Sequence, residues 1–257
     1  MAPLIALAFT VIAGLATGLG GLLSVFGGGM SKRFLAGALG FSVGVMVCIS
    51  MVELLPQAAD DFRAEGISPG LALLAAVIGA VIVFLFSVAT RLRRRSELPA
   101  HDDVLQKRAL LRTGMLTAVA LTAHNFPEGF ATFLTALHDP RLAVPVVAAI
   151  ALHNVPEGIA VAVPIYHATG SRRRALLASF GSGLAEPVGA LVGWLLLAPW
   201  LTPIVLSAVL AGVAGIMITI SIAELLPAAL AQRESRATTT GIIAGALVMW
   251  VSLLALN

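Results

Sequence analysis

His124-Asn125-Phe126-Pro127-Glu128-Gly129 and His153-Asn154-Val155-Pro156-Glu157-Gly158 are two copies of one six-residue pattern, each set deep in a long apolar run. A carboxylate near a bilayer centre costs about 2.5–3.5 kcal/mol on insertion scales, so it needs a compensating partner. On a helix, His at i and Glu at i+4 share one face, and Asn at i+1 lies three residues from the same Glu. Pro127 and Pro156 cannot donate to the carbonyls of Ala123 and Leu152, which are left open beside the polar group. Imidazole, amide oxygen and carboxylate form a donor set for a divalent transition metal without any thiolate. One copy alone could be a polar patch that joins helices. Two copies at equal depth on consecutive runs favour a metal site.

The composition around these motifs is that of an all-α membrane protein. Of 257 residues 59% are apolar and 11% charged, with a mean hydropathy of +0.99. Those values exclude an ordinary soluble domain. The apolar runs are too long for barrel strands and lack strict alternation. Eight are long enough to cross a bilayer, at about 4–26, 34–58, 69–91, 113–137, 141–168, 174–197, 202–230 and 238–256. The first lacks a basic leader and a small-residue cleavage site, so it reads as a retained span. The single cysteine, Cys48, excludes disulfides and a cysteine metal site, and reads as a small buried hydrophobe. The sequence pI is about 9.7, yet the basic residues flank the spans, so no nucleic-acid partner is expected.

Charge sets the orientation. Lys32 and Arg33, the group from Arg91 to Arg112, Arg172 to Arg174, and Arg233 with Arg236 all fall on one side, 14 of the 16 basic residues. Arg63 and Arg141 fall on the other. The basic side is cytoplasmic by the positive-inside rule, so both termini are expected outside. The sizeable cytoplasmic loop, 92–112, holds His101-Asp102-Asp103, which reads better as a solvated linker than as a metal-capturing patch. Asp60, Asp61 and Glu65 either draw cations toward an entrance or solubilise a turn.

A second echo orders the spans. Val52-Glu53-Leu54-Leu55-Pro56 in the second span matches Ala223-Glu224-Leu225-Leu226-Pro227 in the seventh. Spans 2 and 7 cross in opposite directions, as do the motif spans 4 and 5. Both pairs fit a 3+2+3 inverted repeat, an architecture whose substrate site lies near the midplane. His124, His153 and Glu186 each fall roughly 17–18 Å into their spans at 1.5 Å per residue, near the middle of a ~30 Å core. Glu53 falls toward the outer end of its span and Glu224 toward the inner end of its own.

No Lys or Arg lies inside any span beyond the edge residues Arg91, Arg141 and Arg174, so the intramembrane ionisable set is Glu53, Glu128, Glu157, Glu186, Glu224, His124 and His153. Three midplane carboxylates cannot all stay ionised unless something positive sits between them. Metal ions or protons must supply that charge, and an anionic substrate is excluded. Glu186-Pro187 frees the carbonyl of Gly183. Taken alone, Glu186 reads equally as a protonated glutamate at a kink. Beside the two motifs it reads as a further arm of the cage.

With these motifs the chain resembles, over essentially its whole length, the ZIP (Zrt-, Irt-like protein) family of divalent metal transporters, in its bacterial ZupT-like branch. The resemblance implies the 3+2+3 fold and a binuclear site. The first metal would be held by His124, Glu128, His153 and Glu157, and the second by Asn125, Glu128, Asn154, Glu157 and Glu186. It offers Met46 as a lining residue of the first site, where packing is the commoner role of such a methionine. Glu53 and Glu224 read as relay ligands at the two mouths or as helix-end glutamates reaching the interface. The resemblance also implies uptake across the bacterial inner membrane and a homodimer. Many ZIP proteins carry a histidine-rich cytoplasmic loop, which this chain lacks.

Ligand chemistry narrows the cargo to Zn(II), Fe(II), Mn(II), Co(II) or Cd(II). Mg(II) and Ca(II) prefer all-oxygen shells, and Cu(I) prefers sulfur. The metal is then cargo, with no resident cofactor and no enzymatic activity expected. The transport reading is alternating access, one bundle shifting against another. The rival is an intramembrane zinc-dependent hydrolase, in which a fixed metal polarises water. Against it, the chain has no HExxH and duplicates its ligands symmetrically. A structural or metal-sensing role ranks last, because so little chain lies outside the bilayer.

Overall fold

In lipid every backbone amide must be satisfied within its own segment, so an apolar chain of this kind has to be helical. The computed structural model describes residues 2–27, 31–95, 103–138, 140–197, 200 and 202–254, which form eight helical rods and, among the described residues, no strand. Helix α1 spans Ala2–Phe26. Helix α2 spans Lys32–Ala64, with a wide π turn at Ser50–Leu54. Helix α3 spans Gly70–Arg95, α4 Asp103–His138 and α5 Pro140–Thr169. Helix α6 runs Arg172–Gly183, breaks at Leu184, resumes at Ala185–Val192 and ends in a π turn, Gly193–Leu197. Helix α7 spans Pro203–Leu230 with a π turn at Ser221–Leu225, and α8 spans Ser235–Leu254.

Among the described residues six rods, α1, α2, α5, α6, α7 and α8, are long and apolar enough to cross a membrane. Helix α3 contributes a shorter apolar stretch, Gly70–Leu85. Helices overrun the apolar runs: α3 continues through Arg95 and α4 starts at Asp103, taking in much of the expected loop 92–112. The reason is physical. Hydropathy marks where lipid begins, whereas the hydrogen-bond ladder continues into water. His101 and Asp102 lie outside the described residues.

Helix ends obey local chemistry. Ser31, Ser171 and Thr202 cap α2, α6 and α7 by accepting from the amides of Phe34, Arg174 and Val205 at 3.1, 3.3 and 3.3 Å. Gly170 closes α5 at φ 64°, where its amide donates to the Tyr166 carbonyl at 2.7 Å, a backbone state that suits glycine. Both π turns of the Glu-Leu-Leu-Pro echo are built alike. The Leu55 amide donates to the Ser50 carbonyl and the Leu226 amide to that of Ser221, each five residues back. Pro56 and Pro227 then withhold the next donor, which favours the widened turn.

The molecule is apolar outside, and its largely apolar core encloses a cluster of buried polar side chains. On α3, Leu73, Ile82 and Leu85 are 66%, 61% and 61% exposed, a face that only lipid accommodates. The fully buried side chains include His153, Glu157 and Glu186.

Packing divides the rods into two groups. Helices α1, α4, α5 and α6 pack on one another, with α1 against α5 and α4 against α6; α2 packs on α8, and α3 on α7. Thinner contacts of α2 and α8 with α5 join the groups. Glycines set the approach. A Cβ on Gly158 would collide with the Thr17 carbonyl, and one on Gly129 with that of Glu186. In the second group, Gly44 admits the carbonyl of Ile242 and Gly215 that of Ala76. Small residues at crossings are how membrane helices gain contact when lipid is as apolar as leucine.

Candidate metal centre

Helices α4 and α5 carry the two motif copies on facing turns, and helix geometry alone puts each Asn and Glu on one side. His153 Nδ1 lies 3.3 Å from the Ala149 carbonyl, which can only accept, so Nδ1 holds the proton. Nε2 is then turned toward Glu128 Oε1, 3.1 Å away on the other copy. A lone pair and a carboxylate oxygen at that distance call for a cation or a proton between them. A carbonyl that fixes the tautomer in this way is a usual feature of metal-binding histidines.

The two asparagines behave alike on opposite sides. Asn154 Nδ2 donates to the Ala13 carbonyl of α1 at 2.9 Å and to Glu186 Oε1 of α6 at 2.5 Å. Asn125 Nδ2 donates to the Ser182 carbonyl of α6 at 3.2 Å. With their NH2 groups committed, both amide oxygens are buried without a hydrogen-bond partner, as is Glu186 Oε2. Asn125, His153, Asn154, Glu157 and Glu186 are wholly buried, and Glu128 nearly so.

The structure therefore gathers Asn125, Glu128, His153, Asn154, Glu157 and Glu186 at the junction of α1, α4, α5 and α6. The side chain of His124 lies outside the described residues, although its backbone continues α4. Among the described residues no three of His, Cys, Asp and Glu are arranged together for one ion. The donors gathered at the junction are His153 Nε2, the carboxylates of Glu128, Glu157 and Glu186, and the amide oxygens of Asn125 and Asn154. Met46 is fully buried in α2, and its sulfur accepts from Ser221 Oγ at 3.6 Å. Glu53 and Glu224 are half-buried in the π turns of α2 and α7.

Sequence reading missed the hydroxyls of Thr17, Thr132 and Ser182, all buried and without a hydrogen-bond partner. A signal was present. Ala13-Gly14-Leu15-Ala16-Thr17-Gly18-Leu19-Gly20 aligns with Ser182-Gly183-Leu184-Ala185-Glu186-Pro187-Val188-Gly189, and four positions, Gly14, Leu15, Ala16 and Gly20, find identical counterparts.

Comparison with known proteins identifies the family. Residues 89–253 match the family model described as ZIP Zinc transporter. The chain is 48% identical to the zinc transporter ZupT of Corynebacterium glutamicum, covering 98% of each chain. It is 46% identical to that of Corynebacterium efficiens, covering 97% of this chain and 96% of the relative. Against that of Streptococcus mutans it is 44% identical, covering 95% of each. With relatives this similar over nearly their full length, the chain belongs to the ZIP zinc transporter family.

Proposed function

We propose that this protein carries zinc, or a related divalent transition metal, into the cytoplasm across the bacterial inner membrane. The observation that carries the reading is the wholly buried set of oxygens and one imidazole nitrogen, with Asn125 Oδ1, Asn154 Oδ1 and Glu186 Oε2 lacking any hydrogen-bond partner. Buried polar atoms left in that state cost about 1–3 kcal/mol each unless a ligand meets them. No lysine or arginine lies within the apolar runs, apart from their end residues Arg91, Arg141 and Arg174, to neutralise them. A dication does so.

The proposed ligands are His124, Glu128, His153 and Glu157 for one ion, and Asn125, Glu128, Asn154, Glu157 and Glu186 for a second. Glu53 and Glu224 act as relay carboxylates at the mouths, and Met46 lines the path between α2 and the first ion. The fold is an eight-helix 3+2+3 inverted repeat with both termini outside. Its support is the paired packing of α1 with α5 and α4 with α6, of α2 with α8 and α3 with α7, and the matching π turns. Transport proceeds by alternating access, the group containing α4 and α5 moving against the group containing α2 and α7. The thin seam between them includes the Ser42 hydroxyl, which donates to the His153 carbonyl at 2.9 Å. The protein works in the bilayer as a homodimer. The hydrolase alternative finds no support, since the relatives are transporters.

The test is metal uptake into vesicles holding the purified chain, across Zn, Mn, Fe(II), Co and Cd. Accumulation that Glu128→Ala or Glu157→Ala abolishes supports transport. Metal held stoichiometrically with no accumulation overturns it.

A further inference from the structure

The α1 stretch around Thr17 and the α6 stretch around Glu186 hold corresponding positions against the two motif copies. Asn154 donates to the Ala13 carbonyl, four residues before Thr17; Asn125 donates to the Ser182 carbonyl, four residues before Glu186. The motif glycine Gly158 meets the Thr17 carbonyl, and its counterpart Gly129 meets that of Glu186. Gly20 meets the Val155 carbonyl, and Gly189 that of Phe126. At three separate pairs of contacts Thr17 thus stands where Glu186 stands in the other half.

Its hydroxyl, like those of Thr132 and Ser182, behaves unlike most of the buried ones. Serine and threonine inside a helix ordinarily return their hydroxyl to the carbonyl one turn back. Thr10, Ser50, Ser207 and Thr238 do so here, while Ser42, Ser179 and Ser221 bond across helices. Thr17 Oγ1 does neither and is fully buried. The acceptor it would use, the Ala13 carbonyl, is occupied by Asn154. Asn154 itself is tied to Glu186, so Thr17 lies within one helical turn of the proposed cage.

We propose that the Thr17 hydroxyl is an additional neutral oxygen donor to the bound metal, set opposite Glu186, and that it adjusts the affinity of the cage. This rests on the transport reading above. A hydroxyl at this place adds a ligand without adding a fourth carboxylate to Glu128, Glu157 and Glu186. The cage therefore binds a dication less tightly than a symmetric one with glutamate on both sides, and releases it more readily.

The experiment uses the purified full chain, wild type, Thr17→Val, Thr17→Ser and Glu128→Ala. Zinc affinity is measured by competition with a chromophoric chelator, thermal stability with and without zinc, and uptake in vesicles. Thr17→Val keeps the β-branched shape. It is expected to weaken zinc binding about tenfold, to shrink the zinc-induced rise in Tm, and to leave the metal-free Tm unchanged or higher. Thr17→Ser restores the affinity. If Thr17→Val binds zinc as wild type does while Glu128→Ala is dead, the Thr17 hydroxyl meets only water or nothing, and this inference fails alone. If Thr17→Val lowers the metal-free Tm and zinc affinity together and Thr17→Ser rescues neither, the role is packing and the inference also fails. If wild type neither binds nor accumulates metal, the transport reading falls and this inference with it.

Discussion

His153 Nε2 stands 3.1 Å from Glu128 Oε1, so the second copy of the motif meets the first through one imidazole and one carboxylate. The other ring nitrogen faces the Ala149 carbonyl at 3.3 Å, which aims Nε2 at the cage and nowhere else. An ion bound here would be shared between α4 and α5.

Glu128→Gln keeps the shape and removes the charge. Zinc affinity should fall by about 100-fold, with uptake falling at least as far. His153→Gln should lose about 10-fold to 100-fold on the same scale. Chelator competition and vesicle uptake check both, and wild-type affinity in Glu128→Gln would remove this residue from the ligand set.

Asn154 holds α1 and α6 together through the Ala13 carbonyl and Glu186. Asn154→Leu leaves Glu186 Oε1 without that donor, at a cost of about 1–3 kcal/mol. A lower Tm of the metal-free protein and a loss of zinc binding should appear together. Asn125→Leu should spare the first effect more, since Asn125 is shown with a single hydrogen bond at 3.2 Å.

Two glycines should answer oppositely to the same change. A methyl on Gly158 would meet the Thr17 carbonyl, forcing α1 off α5, so Gly158→Ala should destabilise by about 1–3 kcal/mol. Gly181 of α6 has nothing within 4 Å of an added Cβ, and Gly181→Ala should raise stability by about 0.5–1 kcal/mol through helix propensity. Thermal unfolding in detergent measures both. Equal responses would mean that the α1–α5 crossing is not as close as described.

The orientation proposed from charge is open to direct labelling. With Cys48 replaced by alanine, single cysteines beside either terminus should react with an impermeant maleimide from outside intact cells. A cysteine at Ser171, beside Arg172 to Arg174, should react only after permeabilisation. The reverse pattern would invert the transporter and turn uptake into export.

Much of this protein could be read before any coordinates. Helicity, the membrane and the motif residues proposed as ligands follow from local properties: apolar run length, a four-residue helical spacing, and the cost of an unpaired carboxylate in lipid. Helix ends were less legible, because hydropathy reports the edge of lipid and not the end of the hydrogen-bond ladder, as α3 running on to Arg95 demonstrates. The hydroxyl of Thr17 was invisible for a different reason. A threonine in an apolar span ordinarily closes on its own helix. Only the fold could reveal that Asn154, 141 residues away from Ala13, had taken the carbonyl it would use. The same holds for Asn125 and Ser182, 57 residues apart. Residue type and spacing specify what a side chain is able to bind. Which partner it finds depends on helices brought together across the whole chain, where close glycine crossings leave room for some carbonyls and exclude others.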